Sequence, residues 1–326
     1  MRSLHDPWSL GGVTIPNRVV LAPLAGIGNW FVRLQAKRYG AGLAVSEMVS
    51  SFAVHYGNRK THQELLTIDP RERDGGPVSI QLFGQDPAIM RSAAAHVAAI
   101  GADIIDLNMG CPVPKVMKTG AGAALLSDPQ TAVAVARAAV EGSGLPVTVK
   151  LRAEGVEVAR RLVSEAGVTG ITFHPRTIKV RHKGRPDYEL AARVVSELPV
   201  PVIVTGGMDD ADHVRWVFDY TGCEAVMLAR GSLGNPWLFE QVLGVRDSDP
   251  SVDEVIDEWG WVLDRAEEHL GPDRAARYLR KFHPWYAERL DAPRAVLDAL
   301  QRAATLSDQR LVIAEFGASI LGRAAV

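Results

Sequence analysis

Eight short, almost continuously apolar runs recur along the first part of the chain, and no other feature constrains the fold as tightly. They occupy residues 19–24, 43–46, 78–83, 104–108, 147–151, 171–174, 202–205 and 225–228. Most are unbroken rather than alternating, the pattern of parallel strands covered on both faces. Between them lie stretches with helical start and stop signals. Asp86-Pro87 opens the stretch to Ile100, and Ser127-Asp128-Pro129 opens the stretch to Val140. In both, a capping side chain precedes a proline suited to the first turn. Gly101, Gly167 and Gly222 mark helix stops before the next run. Eight strand-then-helix units in about 240 residues fit a closed (β/α)8 TIM barrel, an α/β fold, better than an open sheet.

After Pro236 the pattern changes. No further strand-like run stands out, and Asp247 to Asp253 reads as a polar linker. From Ser251 onward, Val252, Val255, Ile256, Trp259, Leu263, Ala266 and Leu270 recur at helical spacing. Segments 274–290 and 293–305 are also helical in pattern, with Pro284 breaking or kinking the former. The expected organisation is a barrel domain over 1–245 and a C-terminal all-helical domain over 250–326.

Composition removes several classes. Hydrophobic residues are 47% and charged residues 23% of 326, which excludes wholesale disorder. No apolar run approaches the 18 or so residues of a membrane span. The first residues, through Trp8, lack the apolar core of a signal peptide. Two cysteines, Cys111 and Cys223, cannot build a disulfide framework and suit a reducing cytosol, so a cytoplasmic location is expected. HExxH, EF-hand and CxxC spacings are all missing, so no metal site is expected. A net charge of −2 argues against a generic nucleic-acid coat but leaves room for a local basic patch.

A barrel enzyme places its site at the C-terminal ends of its strands, and there polar groups converge. The first strand ends in Ala22-Pro23-Leu24-Ala25-Gly26, the second in Ser46-Glu47-Met48, and the third carries Gln81 before Phe83-Gly84. The fourth ends in Asn108-Met109-Gly110-Cys111-Pro112. The fifth carries Lys150 and Arg152, the sixth His174 and Arg176. Thr205-Gly206-Gly207 and Ala229-Arg230-Gly231 end the last two. Loops after the seventh and eighth strands often hold a phosphate on backbone N–H groups, and glycines there allow close approach. Two ordinary glycine turns are the plainer reading of this pair. With Lys150 and His174 at the same mouth, a phosphorylated cofactor is favoured. Gly120-Ala121-Gly122 lacks the third glycine and the preceding strand of a dinucleotide fingerprint. Cys223, before the eighth strand, reads as a buried hydrophobe. Cys111 sits at the mouth, where a thiol can act as acid or nucleophile.

These blocks together resemble the tRNA-dihydrouridine synthase family. Leu107-Asn108-Met109-Gly110-Cys111-Pro112 followed by Lys115 is the most specific of them. Val149-Lys150-Leu151-Arg152, His174-Pro175-Arg176-Thr177, residues 230–237 and Lys281-Phe282-His283-Pro284-Trp285-Tyr286 are similar to stretches of that family. The resemblance runs from about residue 8 to about 315, and looks closest to the bacterial B-like branch. It implies FMN at the barrel mouth and NADPH (or NADH) as reductant. By motif match, Pro23, Leu24 and Ala25 would line the flavin, Gln81 would bond its ring edge, and Lys150 would stabilise its reduced anion. His174, Thr205, Gly206, Gly207, Ala229 and Arg230 would hold the ribityl-phosphate. Asn108 and Arg176 would face the substrate base. Cys111 would protonate C5 of a uracil whose C6 receives hydride. The base would be extruded from folded tRNA, which requires a backbone-gripping surface. A tRNA partner, the helical domain binding it, and a monomeric enzyme are expected.

The charge distribution agrees with such a surface. Residues 174–186 carry Arg176, Lys179, Arg181, Lys183 and Arg185 with no acid, and Lys115 and Lys118 follow the cysteine block. Segment 271–310 has eight basic against five acidic residues, whereas 241–270 has two against nine. A basic run is often just a solvated face. Its position after the sixth strand assigns Arg181, Lys183 and Arg185 to phosphate contacts. Four departures from the family pattern are visible. Gly28-Asn29 stands for Thr-Asp, Thr205-Gly206-Gly207 for Asn-Gly-Asp, Ala229 for glycine, and the segment from Arg152 to Val156 is short. The rival readings are an FMN barrel acting on a free pyrimidine and a non-catalytic RNA-binding protein. The helical domain and basic loop speak against the first, Cys111, Lys150 and His174 against the second.

Overall fold

All eight apolar runs are strands, in a computed structural model that describes residues 2–181 and 183–324. They are β1 (Val19–Leu21), β2 (Leu43–Val45), β3 (Val78–Phe83), β4 (Ile104–Asn108), β5 (Val147–Arg152), β6 (Gly170–His174), β7 (Val202–Thr205) and β8 (Ala225–Leu228). Each pairs in parallel with its successor, and β8 returns to β1 through Val226↔Val19 and Leu228↔Leu21. The sheet therefore closes into the expected TIM barrel. Helices between the strands begin as their sequences require. Asp86 caps Pro87–Ala99 by accepting from Ile89 N–H, and Asp128 caps Pro129–Ser143 by accepting from Thr131 N–H. Gly167 and Gly222 end the helices Val156–Ala166 and Ala211–Thr221.

An N-terminal hairpin escaped the sequence reading. Trp8–Leu10 and Val13–Ile15 form an antiparallel hairpin whose Trp8, Leu10 and Ile15 join the same core as Val20, Leu43, Ile104, Ile203 and Ala225. Those barrel residues lie within the first two positions of their strands, and Leu10 packs against Gly170 at the start of β6, so the hairpin plugs the N-terminal end. Each hairpin strand is three residues long, with exposed Ser9 or Thr14 at its centre, too short to show a period. Apolar side chains thus fill the bottom of the barrel and continue upward along β1, β2 and β8 through Ala22, Val45 and Met227, while β3 to β6 carry polar residues above them. The register sets Gln81 beside Asp106 and Asp106 beside Thr148, then Asn108 beside Lys150, then Arg152 beside His174. This gradient positions the site.

The chain divides into two compact units, 1–231 and 232–326. In this division the helix Trp237–Leu243 groups with the second unit. All elements of that unit among its described residues are helices: Val252–Leu270, Pro272–Leu279, His283–Arg289, Arg294–Arg302 and Leu306–Ala324 follow. Residues 325 and 326 of the expected helical domain lie outside the described residues. Ser251 and Glu254 form a capping box at the start of Val252–Leu270. Pro284 sits in the first turn of His283–Arg289, so residues 274–290 make two helices. Trp259 stacks on Tyr286 at 5.6 Å and donates its indole N–H to His283 Nδ1 at 3.1 Å.

Candidate active site at the barrel mouth

A single hydrogen-bonded chain crosses the polar layer of the barrel. Thr148 Oγ1 donates to Asp106 Oδ1 at 2.5 Å, and Gln81 Nε2 donates to Asp106 Oδ2 at 2.6 Å. Asn108 Nδ2 donates to Gln81 Oε1 at 2.9 Å, while Asn108 Oδ1 accepts from Gly110 N–H at 3.2 Å and Cys111 N–H at 2.9 Å. Both polar ends of Gln81 and of Asn108 are engaged inside this network, which fixes how much of either faces a ligand. Cys111 is half-buried at its end. Burial pushes the Asp106 carboxyl up to about 6, against the opposing hydrogen bonds of Thr148 and Gln81 and the charge of Lys150. Lys150 is half-buried above it. Burial, joined by the charge of Arg152, pulls the Lys150 ammonium down to about 8, while Asp106 and Cys111 pull it the other way.

Arg152 and Arg176 tie the loops together. Arg152 is buried and donates to the carbonyls of Gly110 (2.8 Å), Thr177 (3.3 Å) and Arg181 (2.8 Å). It thereby joins the cysteine loop to the basic loop after β6. Arg176 is also buried; its guanidinium donates twice to Gly184 O, at 2.9 and 3.2 Å, and lies 3.2 Å from His174 Nε2. The side chain expected to face the substrate base is thus engaged in closing its own loop. Arg181, Lys183 and Arg185 are exposed, as are Lys115 and Lys118.

The glycine loops after β7 and β8 continue the mouth beside His174. A Cβ on Gly206 would lie 2.5 Å from the His174 ring, and one on Gly231 would lie 2.5 Å from Met208 O. Both Gly206 and Gly207 hold positive φ, +112° and +73°, which side-chain-bearing residues adopt only under strain. Tyr188 Oη donates to Gly206 O at 2.7 Å and lies 3.1 Å from His213 Nε2. Thr205 Oγ1 donates to Met227 O across the barrel wall, which leaves the backbone as its contribution to the mouth. Ala229 is half-buried and Arg230 exposed. On the β1 side Pro23 is half-buried, Leu24 buried and Ala25 exposed. Glu47 Oε2 accepts from Gly26 N–H at 2.7 Å and pins this turn to the loop after β2. Asn29 caps Trp30–Arg38 by accepting from Phe31 and Val32 N–H, the work an aspartate would do there. A Cβ on Gly28 would lie 3.0 Å from Leu24 O.

Sequence reasoning missed the roles of Asp106, Thr148 and Tyr188. A charged residue inside the otherwise apolar run 104–107 was the available signal for Asp106. Tyr188 carried none, since only the fold brings the start of the following helix to Gly206.

An eight-stranded barrel with a cysteine loop, a half-buried lysine and a glycine cradle at one mouth defines a TIM-barrel enzyme whose chemistry sits at the strand C-termini. A sequence profile described as "Dihydrouridine synthase (Dus)" matches residues 20–318, and the chain belongs to that family of flavoprotein oxidoreductases. The chain is 34% identical over 302 residues to the tRNA-dihydrouridine synthase B of Pseudomonas aeruginosa, covering 87% of this chain and 88% of the relative. It is 36% identical over 329 residues to a probable tRNA-dihydrouridine synthase of Rhodobacter capsulatus, covering 94% and 98%. Among solved structures, a morphinone reductase variant in complex with tetrahydroNAD shares the fold with a TM-score of 0.58 at 16% identity, over 78% of this chain and 94% of that one. No helix among the described residues is long and apolar enough to cross a membrane.

Proposed function

We propose that this enzyme reduces the 5,6 double bond of uridines within tRNA to dihydrouridine, with FMN as cofactor, NADPH (or NADH) as reductant and Cys111 as proton donor. The observation that carries the reading is the placement of Cys111. Its thiol stands half-buried on the loop directly after β4, with its own N–H and that of Gly110 fixed by Asn108. The glycine cradle after β7 and β8 lies at the same mouth.

The residues present fit a flavin mononucleotide. Gly206, Gly207 and Gly231 lack side chains and pack too tightly against His174, Tyr188 and Met208 O to carry one, so these turns expose backbone N–H groups suited to a phosphate. His174 and Arg230 flank it. Lys150 makes no side-chain hydrogen bond among the described residues, which leaves its ammonium for an anionic ligand at the mouth. Pro23, Leu24 and Ala25, on the loop after the strand that pairs with β8, form the adjoining apolar edge. The bound flavin supplies the hydride that reaches C6 of the base. Cys111 Sγ holds the proton that goes to C5, an acid role worth about 10²–10⁴ in rate. Arg152 keeps the cysteine loop and the basic loop in register, so that a base entering the mouth and the phosphates beside it meet one fixed surface. Exposed Arg181, Lys183 and Arg185 contact phosphates of the RNA. The helical unit from Ser232 onward supplies further RNA contacts through its basic segment 271–310.

The test is Cys111→Ala with FMN bound. It should keep its flavin spectrum and NADPH oxidation yet form no dihydrouridine in unmodified tRNA, read by nucleoside mass spectrometry. Unchanged dihydrouridine formation would remove Cys111 from the mechanism.

A further inference from the structure

The chain Thr148–Asp106–Gln81–Asn108–Cys111 has a direction, and one residue sets it. Glutamine and asparagine amides each have an accepting and a donating end, and either orientation fills the same space. An ionised carboxylate only accepts. With Asp106 at the start, Gln81 must present Nε2 to it and Oε1 to Asn108. Asn108 must then present Nδ2 to Gln81 and Oδ1 to the backbone N–H groups of Gly110 and Cys111. Every link has the polarity this rule demands. Reversal would aim the Asn108 NH₂ group at two N–H donors.

We propose that Asp106 is a positioning residue whose carboxylate, acting through the oriented amides of Gln81 and Asn108, locks the backbone of the Cys111 loop. Several features of the site support this. Asp106, Gln81 and Asn108 are all buried, so water cannot replace a missing partner. Thr148 spends its hydroxyl on the other carboxylate oxygen, which leaves Asp106 no freedom to turn. Asp106 lies on the register line with Gln81 and Thr148, one layer below Asn108 and Lys150, and is placed to act only through its neighbours. The positioning role rests on the proposed reaction only for its catalytic consequence; the effect on the loop stands without it.

The experiment is amide hydrogen exchange at Gly110 and Cys111 in the full-length protein. Three variants are compared: Asp106→Asn, Asn108→Asp and the two together. Asp106→Asn permits both polarities, so exchange at the two amides should rise by about tenfold or more, since an oriented acceptor is lost. Asn108→Asp keeps an acceptor for both N–H groups but leaves Gln81 between two acceptor-only groups, and the repulsion that displaces the new carboxylate from Gln81 Oε1 should also raise exchange. In the double variant a consistent order exists again. The Thr148 hydroxyl donates to the new amide oxygen at position 106, whose NH₂ donates to Gln81 Oε1. The Gln81 NH₂ then donates to the new carboxylate at position 108, which accepts from Gly110 and Cys111 N–H. Protection there should return to within about threefold of wild type, the behaviour of a strongly coupled pair. A merely space-filling Asp106 predicts additive losses instead, and additive losses or unchanged exchange in Asp106→Asn overturn the proposal. Should Asp106→Asn fail to fold, greater protection in the double variant than in Asn108→Asp alone decides the same point. Dihydrouridine formation by Asp106→Asn is read separately. Full activity despite loosened amides would count against Cys111 as the acid and leave the positioning role standing.

Discussion

Replacing Tyr188 by phenylalanine should weaken binding of a phosphorylated flavin and leave its unphosphorylated form untouched. The ring stays, packed beside His213 and Trp216 at centroid distances of 5.6 and 5.7 Å, so the loss is confined to the hydroxyl. That hydroxyl donates to Gly206 O at 2.7 Å. In a trans peptide the carbonyl and the following N–H point in opposite directions. Holding Gly206 O toward Tyr188 therefore turns Gly207 N–H away from it, as an anion cradle needs. Without the hydroxyl the carbonyl loses its donor, a cost of about 1–2 kcal/mol for a part-buried acceptor. With glycine on both sides of the peptide, rotation becomes a ready alternative. If that energy is charged against the binding-competent loop, Kd for FMN rises about 5- to 30-fold. Riboflavin lacks the phosphate, and its Kd should move less than about twofold by the same reasoning. Fluorescence titration of apoprotein with each flavin reads both numbers. An equal loss for both ligands would mean general damage to the barrel. No loss for either would show that Tyr188 does not hold the cradle.

Two further outcomes follow from charge and burial. Neutralising Arg181, Lys183 and Arg185 together should weaken tRNA binding and reduce the slope of log K against log salt by about 2–3, close to one for each phosphate no longer neutralised. An unaltered slope would return the loop to an ordinary solvated face. In the helical unit, burial pulls the His283 imidazole down to about 4 from its usual 6.5. An unfolded chain takes up this proton near pH 6.5 and the folded one refuses it until about pH 4. The contribution is therefore complete above pH 6.5 and is lost as pH falls toward 4, up to about 3 kcal/mol in all. His283→Gln should be less stable at pH 7.5 but lose less between pH 7.5 and 5, by urea denaturation. Parallel pH curves for the two proteins would contradict this.

Much of the fold was legible because barrel strands buried on both faces leave continuous apolar runs. All eight appear within a few residues of their expected places. Asp-Pro pairs announced two helices, and the apolar spacing from Val252 to Leu270 announced the long helix after the barrel. The hairpin Trp8–Leu10 with Val13–Ile15 was not legible, since three-residue strands carry no period; Leu306–Ala324 was expected only as part of a helical domain, without bounds of its own. At the site, sequence placed Cys111, Lys150, His174 and the glycine loops at one mouth. It did not show that Arg176 turns back on Gly184 O or that Arg152 spans Gly110 and Arg181. A guanidinium can reach outward to a ligand or inward to a carbonyl, and only the fold shows where unsatisfied carbonyls lie. The amide chain from Asp106 to Cys111 was hidden for a related reason: its links join strands distant in sequence, each residue unremarkable alone.

The central claim is best tested by mapping dihydrouridine in tRNA from cells with and without this chain. Loss of dihydrouridine at a defined set of tRNA positions, restored by the wild-type protein and not by Cys111→Ala, is the expected result. An identical dihydrouridine map with and without the protein, in cells where no second dihydrouridine synthase covers those positions, would contradict it.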